Sequence, residues 1–200
     1  WGSGGIPYGF KIRGKEFELG DGLGFLSGFF VADGHISGSK SGKRGSKHLV
    51  GFSKSIEKLK VIEKELLKIT DDSLNLVKKK VCYTLTLSNE VLFDYFNQFY
   101  KGYEEGNIKG TFPKIIPNFI KYNVSDSVVK EFVRGYWFGD GHFAPRKDRQ
   151  NQYLAVTAST SKELIYDLQM LLARLGILSC VYIKKLPATK VLEGRIINQN

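Results

Sequence analysis

The sequence predicts an α+β fold made of two related halves, each with the order helix, two strands, helix, two strands. Three observations support this prediction. Two apolar helical segments end in the same Asp-Gly pair, at Asp33 and at Asp140, 107 residues apart. Strand-like runs and then an amphipathic helix follow each of them at nearly the same spacing. We therefore expect a pseudo-twofold αββαββ(α) architecture with a central helix pair and two curved antiparallel sheets.

The halves are predicted to span 21–101 and 124–200, and 102–123 is predicted to be the linker between them. Three glycines and two prolines interrupt that linker, which is typical of a connection rather than of a helix or strand. Residues 1–20 open with a glycine-rich run and are predicted to be an N-terminal linker.

In the first half, the apolar helix is predicted to begin at Asp21 as N-cap and to end before Gly34 in the left-handed conformation. Strands are predicted over 35–40 and 47–53. A helix over 56–69 follows, with an apolar stripe at Leu59, Ile62, Leu66 and Ile69. Strands over 74–79 and 81–87 and a closing helix over 90–100 complete this half.

In the second half, Ser125 is predicted to cap the helix that ends at Asp140. Strands are predicted over 142–146 and 153–158. The next helix, 162–175, has its stripe at Ile165, Leu168, Leu172 and Leu175, and Gly176 follows it in the left-handed conformation. The last two strands are predicted over 178–185 and 191–198.

Small residues four positions apart lie inside both apolar helices, although glycine there costs about 1 kcal/mol relative to alanine. These predicted interface residues are Gly28, Ala32, Gly135 and Gly139. Because small residues let two helix backbones approach closely, the helices are expected to cross at these faces. Their C-terminal ends, with Asp33 and Asp140, then converge.

Two carboxylates at two negative helix ends repel each other, so this arrangement favours a divalent cation with oxygen ligands, Mg²⁺ rather than zinc. A single helix ending in Asp-Gly is more often an ordinary core helix, and only the duplication favours a site.

The net charge of +10 and pI near 9.5 favour a polyanionic partner, with a solvated basic surface as the alternative. No apolar run is long enough to span a membrane, and no signal sequence is present, so we expect an intracellular protein. The two cysteines, Cys82 and Cys180, are expected to be buried free thiols rather than a disulfide.

The sequence resembles the LAGLIDADG homing endonucleases from about Asp21 to Asn198. The two nine-residue motifs read Leu26-Ser-Gly-Phe-Phe-Val-Ala-Asp-Gly34 and Val133-Arg-Gly-Tyr-Trp-Phe-Gly-Asp-Gly141. Arg134 replaces the small second residue of the second copy, and Val31 and Phe138 stand where the family often has an acid. Intein-encoded members are the most similar, because Lys114-Ile-Ile-Pro117 and the segment from Ser161 to Ile177 match their pattern.

The resemblance implies a monomeric, Mg²⁺-dependent endonuclease that hydrolyses both strands of double-stranded DNA and needs no obligatory protein partner. Asp33 and Asp140, helped by the carbonyls of Ala32 and Gly139, would bind two or three divalent cations at a shared site. Lys114 would polarise the attacking water or neutralise charge in the transition state. An equivalent second lysine would lie near or past Asn200, so the companion site is expected to be incomplete. The chain is expected to be inserted in a splicing domain or encoded by an intron.

The strands are expected to read DNA in the major groove, with basic and amide side chains on the strands and turns. The candidates are Lys40, Lys43, Arg44, Lys47, Lys78, Lys80, Arg146, Lys147, Arg149, Gln152 and Lys184. Because the two halves differ in these residues, we expect a long asymmetric target. His35 and His142 directly follow the motifs and are expected to be peripheral.

Two other functions stay open at this point. One is a DNA- or RNA-binding protein on the same scaffold, such as a maturase or a transcription regulator, without catalysis. Retention of both aspartates favours the enzyme over this alternative, because a binder gains nothing from a repulsive carboxylate pair. The other is a structural basic protein without a specific site, which the duplicated motif disfavours.

Overall fold

The computed structural model describes residues 9–12, 15–39, 47–101, 113–146, 149, 151–184, 189–192 and 195–198. The helices are α1 (Asp21–Asp33), α2 (Ile56–Leu66), α3 (Glu90–Asn97), α4 (Asp126–Asp140) and α5 (Lys162–Arg174). The strands are β1 (Gly9–Ile12), β2 (Lys15–Glu18), β3 (Gly34–Ser39), β4 (Lys47–Lys54), β5 (Asn75–Lys78), β6 (Tyr83–Ser88), β7 (His142–Pro145), β8 (Tyr153–Val156), β9 (Thr189–Leu192) and β10 (Arg195–Asn198). No helix among these residues has the length and hydropathy to cross a membrane.

The first half contains a four-stranded antiparallel sheet in the order β3-β4-β6-β5, and the second half contains the antiparallel pair β7-β8. Val50 and Phe52 of β4 and Leu85 and Leu87 of β6 are buried, so this face of the sheet packs on the core. The predicted α+β class, with antiparallel sheets and a central helix pair, is confirmed. There are two further hairpins among the described residues: β1-β2 precedes α1 in the sequence, and β9-β10 follows α5.

Two of the predicted strands in the second half are wrong. Residues 178–184 form no strand, and the segment predicted as one strand over 191–198 contains parts of the hairpin β9-β10. The side chains of Leu178 and Tyr182 are 95% and 89% exposed. An apolar run with β-branched and aromatic residues favours a strand, but a strand also needs a neighbour for its backbone hydrogen bonds. In the described chain, residues 178–184 lie against no such neighbour.

The predicted linkers contain more structure than expected. Hairpin β1-β2 lies within the segment predicted as the N-terminal linker. In the predicted inter-half linker, Lys114 forms a β-bridge with Tyr100, Ile116 and Ile120 are buried, and Phe119–Asn123 form one π-helical turn. The division of the chain into halves stays a prediction.

Helices α1 and α4 pack so closely that two glycines lie against the backbone of the opposite helix. A Cβ added to Gly28 would overlap the carbonyl oxygen of Phe132 and lie 2.7 Å from the Tyr136 nitrogen. A Cβ added to Gly135 would overlap the carbonyl oxygen of Phe25. This close contact offsets the cost in stability of two glycines inside buried helices. It also brings the C-terminal ends of α1 and α4 together.

The glycines that follow the two motif helices are extended, with φ −83° at Gly34 and −79° at Gly141. The left-handed conformation predicted for Gly34 is therefore wrong. Both glycines are needed for a close approach instead. A Cβ at Gly34 would overlap the Phe30 ring, and one at Gly141 would overlap the Trp137 ring. Gly176 has φ +76° after α5, as predicted.

The stripe predicted for α2 is confirmed at Leu59, Ile62 and Leu66, whereas Ile69 lies beyond the end of the helix and is 37% exposed. In α5 the buried residues are Leu164, Leu168 and Leu171. The predicted stripe of α5 shares only Leu168 with this set. The face of α5 that packs against the core is displaced from the predicted face by one residue toward the N-terminus, so Leu164 and Leu171 are buried in place of Ile165 and Leu172. Asp21 is the first residue of α1 rather than its N-cap, which is Gly20, while Ser125 caps α4 as predicted.

Aromatic side chains from α3 fill the core of the first half. The Phe30 ring stacks on Phe96 at 4.3 Å and meets Phe99 and Tyr100 edge-on. The residue 107 positions after Phe30 is Trp137, and it lines an open cleft with Phe138 and Phe143. The two halves therefore differ at matching positions of α1 and α4: Phe30 of α1 is covered by aromatic rings, whereas Trp137 of α4 faces an open cleft.

The cysteines are both free, but they are not buried as expected. Cys180 is exposed and Cys82 is half-buried. Cys180 lies in the segment 178–184 that forms no strand, so no sheet covers it.

Candidate active site

Asp33 and Asp140, the last residues of α1 and α4, lie close enough for one lysine to contact both. The Lys54 ammonium lies 2.5 Å from Asp33 Oδ2 and 3.4 Å from Asp140 Oδ1. Lys54 is the last residue of β4, and sequence reasoning missed it. The two carboxylates therefore form one anionic centre, and a cation already lies in contact with it.

The register of the first sheet places Lys54 beside this centre. Gly34 pairs with Phe52, so β4 continues past the start of β3 toward the end of α1. In the second half His142 pairs with Val156. Extending both registers to the helix ends puts Ser159 at the position that matches Lys54. The first half thus has a cation at a register position where the second half has a neutral, exposed serine.

The pKa of Asp33 is raised above its ordinary value because the carboxyl is buried. The hydrogen bond from Lys54 lowers this pKa and the charge of Asp140 raises it, without reversing the effect of burial. Burial lowers the pKa of Lys54, but its hydrogen bond and ion pair with Asp33 and the charge of Asp140 outweigh this, so its pKa is raised. A buried carboxylate next to a second one is stabilised by added positive charge.

Lys114 lies at the same end of α1. Its ammonium donates to the carbonyl oxygens of Phe30 at 2.7 Å and Val31 at 3.1 Å, and it lies 5.3 Å from the centre of the Phe30 ring. Burial lowers the pKa of Lys114 to about 8, although Asp33 and Asp140 act in the opposite direction. The structure therefore brings all three predicted catalytic side chains, Asp33, Asp140 and Lys114, to one region.

A third lysine, Lys58 of α2, contacts the end of α4. Its ammonium donates to the carbonyl oxygens of Phe138 and Gly139, the latter at 3.2 Å, and lies 5.2 Å from the centre of the Phe138 ring. Acidic and basic residues are mixed along α2, and this pattern did not predict that Lys58 contacts α4. Tertiary packing determines which face of α2 meets α4.

The oxygen atoms at this centre fit a hard divalent cation. Among the described residues no three His, Cys, Asp or Glu side chains cluster, so the side-chain ligands offered here are the two carboxylates. The carbonyls of Ala32 and Gly139 stay predicted ligands, and that of Gly139 accepts a hydrogen bond from Lys58. Mg²⁺ is typically bound by one or two carboxylates together with water and substrate phosphates. The packing is tight here, since a Cβ on Gly139 would lie 3.1 Å from Asp33 Oδ2.

The two histidines after the motifs differ in environment. His35 pairs with Gly51 across β3 and β4, and a Cβ on Gly51 would overlap the His35 ring. Burial lowers the pKa of His35, and the charges of Lys79 and Lys114 lower it further. His142 is exposed on β7.

The described candidates for DNA contact lie at strand ends and turns, but not at the same end of the two sheets. Lys78 and Lys54 both pair with Tyr83, so Lys78 lies at the end of the first sheet that is near the two aspartates, whereas the β7–β8 turn lies at the opposite end of its hairpin from His142. Lys78 ends β5 and Lys80 lies in the following turn, both exposed. Arg146, Arg149 and Gln152 belong to the turn between β7 and β8, where Asn151 has φ +60°. Lys184 is exposed in the segment without strand structure. Lys40, Lys43, Arg44 and Lys147 lie outside the described residues, as does the side chain of Lys47.

Comparison with solved structures identifies the fold. A variant of the homing endonuclease I-DmoI in complex with its target DNA in the presence of magnesium is similar with a TM-score of 0.61 and 16% identity, over 84% of each chain. I-DmoI in complex with DNA and manganese gives a TM-score of 0.59, with 16% identity and 84% of each chain covered. The homing endonuclease I-WcaI bound to its DNA recognition sequence gives 0.51, with 15% identity over 89% of this chain and 74% of that one.

Sequence comparison adds a family and a relative. The replication factor C small subunit of Methanocaldococcus jannaschii is 32% identical over 126 residues, which cover 58% of this chain. This chain spans only 6% of the length of that curated relative. The family model described as LAGLIDADG-like domain matches residues 127–200. The chain therefore carries a LAGLIDADG-like domain and has the fold of the LAGLIDADG homing endonucleases.

Proposed function

We propose that this protein is a site-specific DNA endonuclease that uses Mg²⁺ to hydrolyse one phosphodiester bond in each strand of a long asymmetric target. One observation carries the proposal, the convergence of Asp33 and Asp140 where α1 and α4 end, with Lys54 in contact with both. Asp33 is half-buried and Asp140 is exposed. Two carboxylates held side by side repel each other, so their proximity favours a function that needs them.

The comparisons support this proposal through what is bound to the similar structures. I-DmoI is described in complex with DNA and manganese, and also with DNA and calcium. A DNA duplex and divalent cations are therefore the partners we propose for this chain. The net charge of +10 is consistent with a polyanionic substrate.

In the proposed mechanism, Asp33 and Asp140 would hold the metal ions, with the carbonyl oxygens of Ala32 and Gly139 as the further ligands. When bound, the metal supplies an activated water and neutralises charge on the scissile phosphate. Lys54 and Lys114 add positive charge beside the carboxylates, where it can stabilise the negative charge that develops in the transition state. Lys114 also donates hydrogen bonds to the carbonyls of Phe30 and Val31 in the last turn of α1, which fixes the helix end that carries Asp33.

The strands supply the DNA contacts in this proposal. The exposed Lys78 and Lys80 in the first half and Arg149 and Gln152 in the second lie at the turns of the two sheets. Lysine and arginine at these turns fix the position on the phosphates, and amides suit adenine edges. Since the halves present different side chains, the target is asymmetric.

We further propose that the protein acts as an intracellular monomer and originates from an insert in a splicing domain. Each half contributes one of the two acids, so one chain provides both parts of the site. The match to a small portion of a much longer replication protein supports an inserted segment. The sequence Lys114-Ile-Ile-Pro117 supports the same origin.

Selection from a randomised DNA library in the presence of Mg²⁺ tests the proposed function. We expect one family of duplexes to be cut in both strands with Mg²⁺ and none to be cut with excess chelator. If the protein enriches duplexes by binding but never cuts them with Mg²⁺ or Mn²⁺, the alternative function as a non-catalytic nucleic-acid-binding protein is correct.

A further inference from the structure

The two central helices end in matching lysine contacts. Lys114 donates to the last carbonyls of α1 and lies over the Phe30 ring, and Lys58 donates to the last carbonyls of α4 and lies over the Phe138 ring. Each ammonium thereby offsets the negative end of a helix whose last residue is an acid. The two contacts have the same chemistry at Asp33 and at Asp140.

These lysines are not related by the duplication of the chain. Lys114 comes from the segment between the halves, and Lys58 comes from the first turns of α2 in the first half. Counted from the N-caps Ser55 and Ser161, the position that corresponds to Lys58 in the second half is Leu164, which is buried in the core. The position that corresponds to Lys54 is Ser159. At both matched positions the second half thus has an uncharged residue where the first half has a lysine.

We infer that Lys58 is the positioning residue for the Asp140 part of the site, supplied to it from the opposite half of the chain. Lys58 acts through the backbone. By holding the carbonyls of Phe138 and Gly139, it fixes the end of α4 and the direction of the Asp140 side chain. The inference rests on the proposed function, and it completes a companion site that the sequence predicts to be incomplete.

The contacts of Lys58 make its effect specific for one DNA strand. The ammonium touches the end of α4, while Lys114 holds the end of α1. If each acid serves the cut in one strand, the loss of Lys58 weakens one cut and spares the other. General destabilisation of the protein would slow both cuts together, so the ratio of the two rates separates positioning from stability.

The test uses the selected target duplex with a different label on each strand, and the variants Lys58→Met, Lys58→Arg and Lys60→Met. In Lys58→Met we expect one strand to be cut about tenfold or more slowly, so that nicked duplex accumulates while the other strand is cut at the wild-type rate. Lys58→Arg should restore part of the slow cut, because its guanidinium can donate to the same carbonyls. Lys60→Met removes an exposed charge from the same helix and should change neither rate.

Equal rates in both strands of Lys58→Met, whether slowed or unchanged, would overturn the inference. Thermal unfolding and DNA affinity in Ca²⁺ are measured for each variant, and if Lys58→Met does not fold, Lys58→Gln takes its place with the same criterion. If the wild-type protein cuts neither strand of any duplex, the proposed function itself fails. If the wild type cuts both and Lys58→Met cuts both at the same rates, only the role of Lys58 fails.

Discussion

Lys54 joins Asp33 and Asp140 through a single ammonium, at 2.5 Å from the first carboxylate and 3.4 Å from the second. The two acids are 107 residues apart in the chain and reach each other because α1 and α4 cross at Gly28 and Gly135. The shared lysine offsets their repulsion. It also belongs to only one half, so the anionic centre is asymmetric.

Replacing Lys54 with methionine should slow cleavage about 100-fold, because one source of positive charge at the reacting phosphate is removed. The pKa of Asp33 should rise further, since its ion pair with Lys54 is lost. Single-turnover cleavage of the selected target measures the first effect, and NMR titration of the Asp33 carboxyl measures the second. Lys60→Met is the matched control on α2. An unchanged cleavage rate in Lys54→Met would show that this lysine has only a structural role.

The sequence was sufficient to predict Asp33 and Asp140 as a pair, because the motif helices repeat and their small residues predict a close crossing. It could not predict Lys54. Its place depends on the register of β3 and β4, and a shift by one residue would turn the side chain to the other face of the sheet. That register depends on the connection between the two strands, and no local pattern in the sequence determines it.

The second sheet shows a different limit of sequence reasoning. Residues 178–184 are rich in apolar, β-branched and aromatic residues, which favours a strand, but this composition does not determine whether a neighbouring strand is present. The stripe of α5 was misplaced by one residue for a related reason. Ile165 and Leu164 are equally apolar, and only the packing against the central helices decides which of them is buried.

Substitution of Gly28 by alanine should destabilise the protein by about 3 kcal/mol, because the added methyl group overlaps the backbone of α4 and the helices must separate. Gly22 is the matched control in the same helix. A Cβ there meets only Glu65 Oε2 at 3.4 Å, an ordinary contact. We expect Gly22→Ala to stay within about 1 kcal/mol of the wild type, on the stabilising side. Urea unfolding measures both, and equal stability of the two variants would contradict the close crossing.

The stability of the protein should depend on pH through Lys114. Its pKa is about 8 in the folded state and 10.5 in the unfolded state, so the unfolded state binds more protons between these values. The resulting stability is fully present above pH 10.5 and is lost as the pH falls through 8. Between pH 7.5 and 9.5 the free energy of unfolding of the wild type should rise by about 2 kcal/mol relative to Lys114→Met. A constant difference between the two proteins would show that Lys114 is not held in a buried environment.

Binding to the selected duplex in Ca²⁺ should weaken steeply with salt, because lysine and arginine contacts release counterions from the phosphates. The slope of log K against log salt should become smaller by about 1 in Lys78→Ser. Lys64→Ser, on the exposed face of α2, should leave the slope unchanged. Fluorescence anisotropy at several salt concentrations measures these slopes. Equal slopes for all three proteins would show that Lys78 does not contact a DNA phosphate.

The most direct test of the central claim is single-turnover cleavage of the selected duplex by Asp33→Asn and Asp140→Asn, with DNA affinity measured in parallel in Ca²⁺. Asparagine keeps the shape of the side chain and removes the negative charge. The account predicts that each variant binds the duplex at least as tightly as the wild type and that double-strand cleavage with Mg²⁺ falls by about a thousandfold or more. Double-strand cleavage at the wild-type rate in both variants would contradict it.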